Sequence, residues 1–414
     1  MDEIQNPKSE IRNFYAGFDD RVRDIVAYGY DRSPALRSRM DDAGLAPADI
    51  TSVAELARLP VLRKASLPAI QRAGPGLGGM LAVPPGELRR FFVSPGPIYD
   101  PDPHAPDPWR FGPAYRAAGF GPGDIVINCF GYHLTPAGAL FEEGVRAAGC
   151  TVIPAGTGGH AQQIEAIVAL GVTGYTGLPS YLKSLLEKAR ELGHDPRAWP
   201  LKKAWVAAEP LPPSLRALFR DEYGVEVYQG YGTAECGNLG YEGPERAGWR
   251  LPGDALVQVC DINSGEPLPP GQTGEVVVTL FRRDYVLVRF AVGDLSALVD
   301  QPLTGDIPVP RLVGWLGRSG DSVKVRGIFV HPRHADQAVR AVDGVGAYQI
   351  VIARSAHRDE LICRVVPAPG ADPGAVVEGV AAALQDALKL RCHVELAAAL
   401  PEGAKTFVDE RTWE

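Results

Sequence analysis

Four short segments join glycines to polar side chains, most of them near the ends of apolar runs, where open α/β sheets bind ligands. In Tyr228-Gln229-Gly230-Tyr231-Gly232-Thr233-Ala234-Glu235 two glycines let a ligand approach the backbone, and the carboxylate of Glu235 could hold a cation. In Arg289-Phe290-Ala291-Val292-Gly293-Asp294 a carboxylate after a glycine could accept hydrogen bonds from a diol such as that of ribose. Taken alone, the first reads sooner as a tight turn with a solvated Glu, and the second as an ordinary turn. Gly317-Arg318-Ser319-Gly320-Asp321-Ser322-Val323-Lys324-Val325-Arg326-Gly327 reads either as a cation-rich hinge or as a solvated linker. The fourth, Ala207-Ala208-Glu209-Pro210, has almost no standing by itself.

The elements that must position these residues follow from apolar spacing. Up to Arg89 the pattern is helical, with Arg21–Tyr28 and Val53–Leu59 carrying apolar residues three and four apart between Pro and Gly breaks. From Phe91 strands and helices alternate: Ile125–Phe130, then a helix over 139–148, Thr151–Pro154, then a helix over 162–170. A helix over 182–192, the strand Ala204–Ala208, a helix over 213–223 and the strand Val225–Gln229 continue the series, the signature of a doubly wound parallel sheet. Between Val257 and Ala297 short strands (Glu275–Leu280, Tyr285–Phe290) predict a β-rich subdomain. After Gly317 a compact α+β unit is expected, with strands at Tyr348–Ala353 and Glu360–Val366. Its helix starts at Asp372-Pro373 and places Val377, Val380, Ala381, Leu384 and Leu388 on one face. The fold class is therefore α/β. A large unit over residues 1–317 opens with a helical preamble (1–89), and a small α+β unit covers 318–414. The Pro cluster from Pro95 to Pro108 reads as a rigid loop.

Composition narrows the function. The 42 Lys and Arg against 50 Asp and Glu, a formal charge of -8, speak against a nucleic-acid surface. No apolar run approaches the roughly 18 residues of a membrane span, and the N-terminus lacks the order of a signal peptide, so a cytoplasmic protein is expected. The scattered cysteines (Cys129, Cys150, Cys236, Cys260, Cys363, Cys392) contain no C-x-x-C pair, and reduced thiols follow.

In order and spacing the four segments together resemble the adenylate-forming (AMP-binding) superfamily, in the branch of phenylacetate-CoA ligase. Supporting stretches are Leu56-Ala57-Arg58-Leu59-Pro60 with Lys64, Gly131-Tyr132-His133-Leu134-Thr135-Pro136-Ala137-Gly138, Val152-Ile153-Pro154-Ala155-Gly156 and Leu178-Pro179-Ser180-Tyr181. The resemblance implies a two-step ligase: a carboxylate attacks the α-phosphate of ATP to give an acyl-adenylate, and a thiol, usually that of coenzyme A, then displaces AMP. It implies that Glu235 holds magnesium and that Asp294 binds ribose with Arg318 beside it. Ala208, Glu209 and Pro210 with Tyr231 and Gly232 would line the adenine pocket, with Gln229, Thr233, Lys324, Ser94 and Gly96 as further nucleotide contacts. It places Tyr132, His133, Pro136 and Ala137 at the acyl pocket, where His133 could contact substrate or a phosphoryl oxygen or be a packed core histidine. It makes Lys405 the lysine of the adenylation step and Gly320 the hinge about which the small unit turns between steps.

Two departures mark this chain. Where the superfamily cradles the outer phosphates with hydroxyls and amides, it reads Phe92-Val93-Ser94-Pro95-Gly96-Pro97-Ile98-Tyr99-Asp100-Pro101. The prolines remove amide donors, Ser94 is the only hydroxyl besides the Tyr99 phenol, and Asp100 would repel phosphate. Ala234 stands where relatives have Ser or Thr. In place of the Cys and His residues that relatives carry, there are Gly243-Pro244, Arg250 and Pro302-Leu303-Thr304-Gly305, so no structural zinc is expected. The expectation is an ATP-dependent, AMP-forming ligase of an aromatic or other small carboxylic acid with coenzyme A, using ATP, Mg2+ and CoA. The alternatives are an adenylation-deficient protein that binds AMP or an acyl-adenylate, and an adenylating ligase with a non-CoA acceptor. A homodimer is expected only because relatives commonly form one.

Overall fold

The computed structural model describes residues 14–94, 96–300, 309–319, 323–326, 328–330, 332–388, 390–401 and 403–412. Its contacts divide the chain into two units: Met1–Ala208 with Phe219–Ser319, and Glu209–Leu218 with Gly320–Glu414.

The first unit opens with α1 (Phe18–Arg32), whose Phe18, Val22, Ile25 and Val26 form one buried face. The Ser33 hydroxyl accepts from the Leu36 amide at 3.3 Å to cap α2 (Pro34–Asp42), which has Pro at its first position. The expected helix over Val53–Leu59 shrinks to a 3-10 turn at Glu55–Arg58. Leu59 N bonds back to Leu56 O at 3.1 Å, and Pro60, which has no amide hydrogen to give that carbonyl, stops the turn from lengthening. A two-residue strand, β1 (Leu62–Arg63), follows.

The Pro-rich segment begins as a hairpin rather than a loop, with β2 (Arg90–Ser94) antiparallel to β3 (Ile98–Asp102). Its sides are tied down. Arg89 and Arg90 both reach Asp102, and Arg89 also reaches Glu143 at 2.9 Å. On β3 the Gln71 amide donates to Tyr99 O and accepts from Tyr99 N, both at 2.8 Å.

Beyond α3 (Gly112–Ala117) come β4 (Ile125–Asn128), α4 (Ala137–Ala147), β5 (Thr151–Pro154), α5 (His160–Leu170) and β6 (Gly174–Gly177). Then follow α6 (Pro179–Glu191), β7 (Lys203–Val206), β8 (Glu226–Thr233), β9 (Gly237–Glu242) and β10 (Trp249–Arg250). These strands, with β14 (Arg311–Leu312) at the far edge, make an eight-stranded sheet ordered β14-β10-β9-β8-β7-β6-β4-β5. The stretch from β5 to β8 is parallel. Taken alone its chain order is 2-1-3-4-5, the flavodoxin-like doubly wound arrangement, in which ligands gather beyond the carboxyl ends of the strands.

Behind it an aromatic cluster of Trp109, Phe111, Tyr115, Phe130, Phe141 and Trp205 is buried. Trp205 packs so closely on Gly230 of β8 that a Cβ there would overlap its indole. Gly230→Ala should therefore cost about 1–3 kcal/mol by overpacking, measurable as a lower urea midpoint; an unchanged midpoint would mean that the indole can move aside.

The β-rich part is a second sheet of β11 (Ala255–Cys260), β12 (Gly274–Leu280) and β13 (Phe290–Ser296), in the order β1-β13-β12-β11. On the edge of β13, β1 pairs with Phe290 and Ala291, and β15 (Gly317–Arg318) pairs with Asp294 and Leu295. The strand expected at Tyr285–Phe290 is not formed. Arg289 has φ 50° and the strand begins at Phe290, while Tyr285 to Val288 run irregularly through the core. Asp294 consequently lies within a strand and not in a turn.

In the second unit β16 (Val323–Val325) and β17 (Ile328–Val330) pair antiparallel ahead of α7 (Pro332–Arg340). A four-stranded sheet ordered β20-β19-β18-β21 is built from β18 (Val345–Ser355), β19 (Arg358–Pro367), β20 (His393–Leu396) and β21 (Phe407–Asp409). Between β19 and β20 runs α8 (Pro373–Leu388), where the Asp372 carboxylate accepts from Gly374 N at 2.9 Å. Its buried line is Val376, Val380, Leu384 and Leu388, one residue off the expected face at its start. Among the described residues no helix is long and apolar enough to cross a membrane.

Candidate functional site

The carboxyl end of β8 carries the first segment into the turn toward β9. Gly237 begins β9 at φ 72°, with the Trp109 backbone where a Cβ would be, so glycine is required there. The Thr233 hydroxyl accepts from Cys236 N at 3.2 Å and closes the turn. Glu235 is turned inward with a wholly buried side chain, 2.7 Å from the ammonium of Lys64, which follows β1. Burial by itself would push this carboxyl up; the Lys64 charge and hydrogen bonds outweigh it and hold Glu235 below the ordinary carboxylate range. The neighbouring Cys236 thiol is pushed up to about 12, by burial first and the Glu235 charge second, and stays protonated at neutral pH.

Asp294 is the second focus. Its carboxylate accepts from Tyr231 Oη (2.9 Å) and Trp315 Nε1 (2.9 Å) and pairs with Arg318 Nε at 3.0 Å. Tyr231 stacks on Trp249 with ring centroids 5.4 Å apart. Burial, then the Asp294 charge, pushes the Tyr231 phenol well above its ordinary value, so it remains a donor to the carboxylate. Tyr231, Asp294 and Arg318 are thus brought together as one buried set, and Trp315, which carries no motif signal, joins them.

Other candidates fall differently. Gln229 is engaged by Glu242, which accepts from its amide N (3.1 Å) and Nε2 (2.8 Å); the structure thus gives this side chain a protein partner. Ala208, beyond β7, has φ 71°. His133 is exposed, which removes the packed-core alternative, and its loop is tied to the hairpin by Val93 N donating to Leu134 O at 2.9 Å. Tyr132 is half-buried; its hydroxyl accepts from Asn128 Nδ2 at 2.8 Å, and burial with Glu142 pushes its phenol up. Pro136 and Ala137 stand at the start of α4, Pro136 buried. In the hairpin, Ser94 is buried and donates to Ile98 O at 3.4 Å, while Gly96 is exposed in the turn.

Glu209, Pro210, Lys324 and Lys405 belong to the second unit. Lys324 pairs with Phe329 through its backbone, and Lys405 is exposed, its carbonyl accepting from Gln349 Nε2 at 3.1 Å. Gly320 lies outside the described residues.

Asp100 is not a charge displayed to solvent beside the phosphate turn, as the sequence suggests. It is wholly buried in β3. Burial and then the Glu235 charge push its carboxyl well above the ordinary range. All six cysteines are buried and unpaired, and among the described residues no three His, Cys, Asp or Glu side chains gather as a metal cluster.

Comparison with known proteins bears on this arrangement. Residues 114–280 match the family model described as AMP-binding enzyme. The phenylacetate-coenzyme A ligase of Thermus thermophilus is 30% identical over 84% of this chain and 80% of its own length. That of Pseudomonas putida is 28% identical over 83% and 79%. The crystal structure of 2-hydroxyisobutyryl-CoA ligase in complex with 2-HIB-AMP and CoA superposes with a TM-score of 0.86 at 25% identity, covering 99% of this chain and 91% of that one.

Proposed function

Since the chain belongs to the AMP-binding enzyme family, with the phenylacetate-CoA ligases as relatives, we propose that it is an ATP-dependent, AMP-forming ligase that joins a small carboxylic acid to coenzyme A through an acyl-adenylate. The observation that carries the reading is Glu235: a carboxylate wholly buried yet kept ionised, at the carboxyl end of a central strand. Keeping a charge at such depth is costly unless a cation stands beside it; Lys64 supplies one at 2.7 Å, and in the ligase reading the metal takes over that part. Magnesium, when bound, would neutralise charge on the departing pyrophosphate. The residues fit it, because a second wholly buried carboxyl, Asp100, is close enough to feel the Glu235 charge.

Each of the other residues has a task in this reading. Asp294, oriented by Tyr231, Trp315 and Arg318, accepts from the ribose hydroxyls. Backbone beyond β7 and β8, at Ala208 and at Tyr231 to Thr233, flanks the base together with Glu209 and Pro210. The exposed loop of Tyr132 and His133, with Pro136 and Ala137 behind it, borders the acid. Lys405 steadies the negative charge that builds as the carboxylate oxygen bonds to the α-phosphorus and the bond to the pyrophosphate oxygen breaks. Gly320 is the hinge, and Lys324 a further nucleotide contact. The cytoplasm is the compartment we propose, on the six unpaired thiols, and a homodimer the assembly, on the habit of the resembling family.

One observation favours a second reading. Between Ser94 and Ile98 the sequence reads Pro95-Gly96-Pro97, so Gly96 alone has an amide N–H to offer a phosphate there. A protein that binds AMP or an acyl-adenylate without making it would look the same at this turn.

The test is to offer ATP, Mg2+ and a panel of small aromatic and branched acids, following pyrophosphate release and then thioester formation with coenzyme A. Both are expected for the wild type. Lys405→Ala should slow pyrophosphate release by about 10²–10³-fold while thioester formation from a supplied acyl-adenylate stays within a few-fold. AMP binding without pyrophosphate release from any acid would establish the second reading; adenylation without thioester would move the acceptor to an amine or a carrier-protein thiol.

A further inference from the structure

Asp100 is a poorly satisfied carboxyl beside this site. It sits in β3 between Tyr99, clamped by Gln71, and Pro101, which has no amide to offer. Its side chain is wholly buried, and neither oxygen has a hydrogen-bond partner. The near hydroxyl, Ser94, donates to the Ile98 carbonyl at 3.4 Å and also eases the Asp100 charge, yet burial and Glu235 still push that carboxyl up. Arg282 is near enough for its charge to be felt, but its Nε and Nη2 are committed to Asp284 and Nη2 also to Pro101 O at 2.9 Å. Folded proteins rarely leave a buried carboxyl in this condition, and where they do something else completes it.

Its electrostatic neighbours name what that is. Asp100 feels the negative charge of Glu235 and the positive charge of Lys64, and the same Lys64 ammonium lies 2.7 Å from Glu235. Two buried carboxyls therefore share one lysine, whose side chain is 20% exposed and has a route to solvent. Small hard divalent cations bind one or two carboxylates and fill their remaining positions with water and phosphate oxygens.

We propose that Asp100 and Glu235 hold a divalent cation jointly, with Lys64 as the ammonium that neutralises Glu235 when the metal is away. The inference rests on the ligase reading, in which Glu235 is the metal carboxylate, and deepens it by adding a second ligand from the phosphate hairpin. Its consequence is that the protein binds metal before nucleotide arrives. A metal held by two protein carboxylates presents a fixed charge to the outer phosphates, which compensates for a turn with one free amide.

The experiment is titration of Mn2+ into the full-length, nucleotide-free protein, read by loss of the free-ion electron paramagnetic resonance signal. One Mn2+ per chain is expected for the wild type. Asp100→Asn and Glu235→Gln should each weaken it by roughly tenfold or more, and Lys64→Met should tighten it by removing the competing ammonium. Should Asp100→Asn fold poorly, melting of Lys64→Met decides the matter: Mn2+ should raise its melting temperature more than that of the wild type. Equal Mn2+ affinity in wild type and Asp100→Asn overturns the proposal, as does a wild type that takes up Mn2+ only with ATP. Failure of the ligase reading looks different, since it would show as normal Mn2+ uptake without pyrophosphate release from any acid.

Discussion

Glu235→Gln should lower the rate of pyrophosphate release by about 10²–10³-fold while AMP binding changes by less than a few-fold. The substitution keeps the shape of the side chain and removes only its charge. In the wild type that charge is held by Lys64 at 2.7 Å with the carboxylate wholly buried, where an ionic contact counts for far more than at the surface. Adenylation needs the charge because pyrophosphate must leave as a polyanion; AMP lacks the outer phosphates and does not call on it. The folded state should tolerate the change, because Lys64 keeps some access to water and Asp100 loses a repelling neighbour. Equal losses in pyrophosphate release and AMP binding, measured by a coupled phosphate assay and calorimetry, would assign Glu235 a structural role instead.

Asp294→Asn should strike both binding and stability. Three donors converge on the carboxylate, from Tyr231, Trp315 and Arg318, and an asparagine must point its NH2 at one of them. The Arg318 side chain, 12% exposed, would lose its charge partner. Breaking such a pair costs about 3–5 kcal/mol when it is buried, which should appear as a melting temperature lower by several degrees. AMP affinity should fall by at least about tenfold as the ribose acceptor is lost. The two effects are separable: a lower melting temperature with unchanged AMP affinity would make Asp294 a brace and not a ligand.

The parts of this site that the sequence made legible are those whose signal is local. The run from Tyr228 to Glu235 carries its glycines and its carboxylate in one stretch, and the fold puts it at the end of a parallel strand as its pattern requires. The alternation of strands and helices likewise predicted the parallel sheet, apart from β6, where Gly174-Tyr175-Thr176-Gly177 is too glycine-rich to register. What stayed hidden was pairing across distance. Lys64 meets Glu235 across 171 residues, and no spacing rule links them. Glu242 claims Gln229 only because β8 and β9 fold back on each other. At Tyr285–Phe290 the apolar run was read as a strand, yet its burial comes from an irregular path that ends where Arg289 takes a positive φ. The prolines of the hairpin hid its pairing because they are usually evidence against strands; here Pro101 lies in β3 where a proline costs least, in a two-stranded ribbon that is all edge.

That ribbon has a thermodynamic meaning as well. Prolines at positions 97 and 101 fix backbone angles, Gln71 grips β3, and the Arg89, Arg90, Asp102 and Glu143 cluster grips the base. A glycine-rich loop must surrender conformational freedom, on the order of 1–2 kcal/mol per residue, each time it closes on a nucleotide. A segment already fixed has little left to surrender. In the proposed ligase, nucleotide recognition at this turn would draw on rigidity in place of donor number: fewer contacts would be made, and less disorder lost in making them.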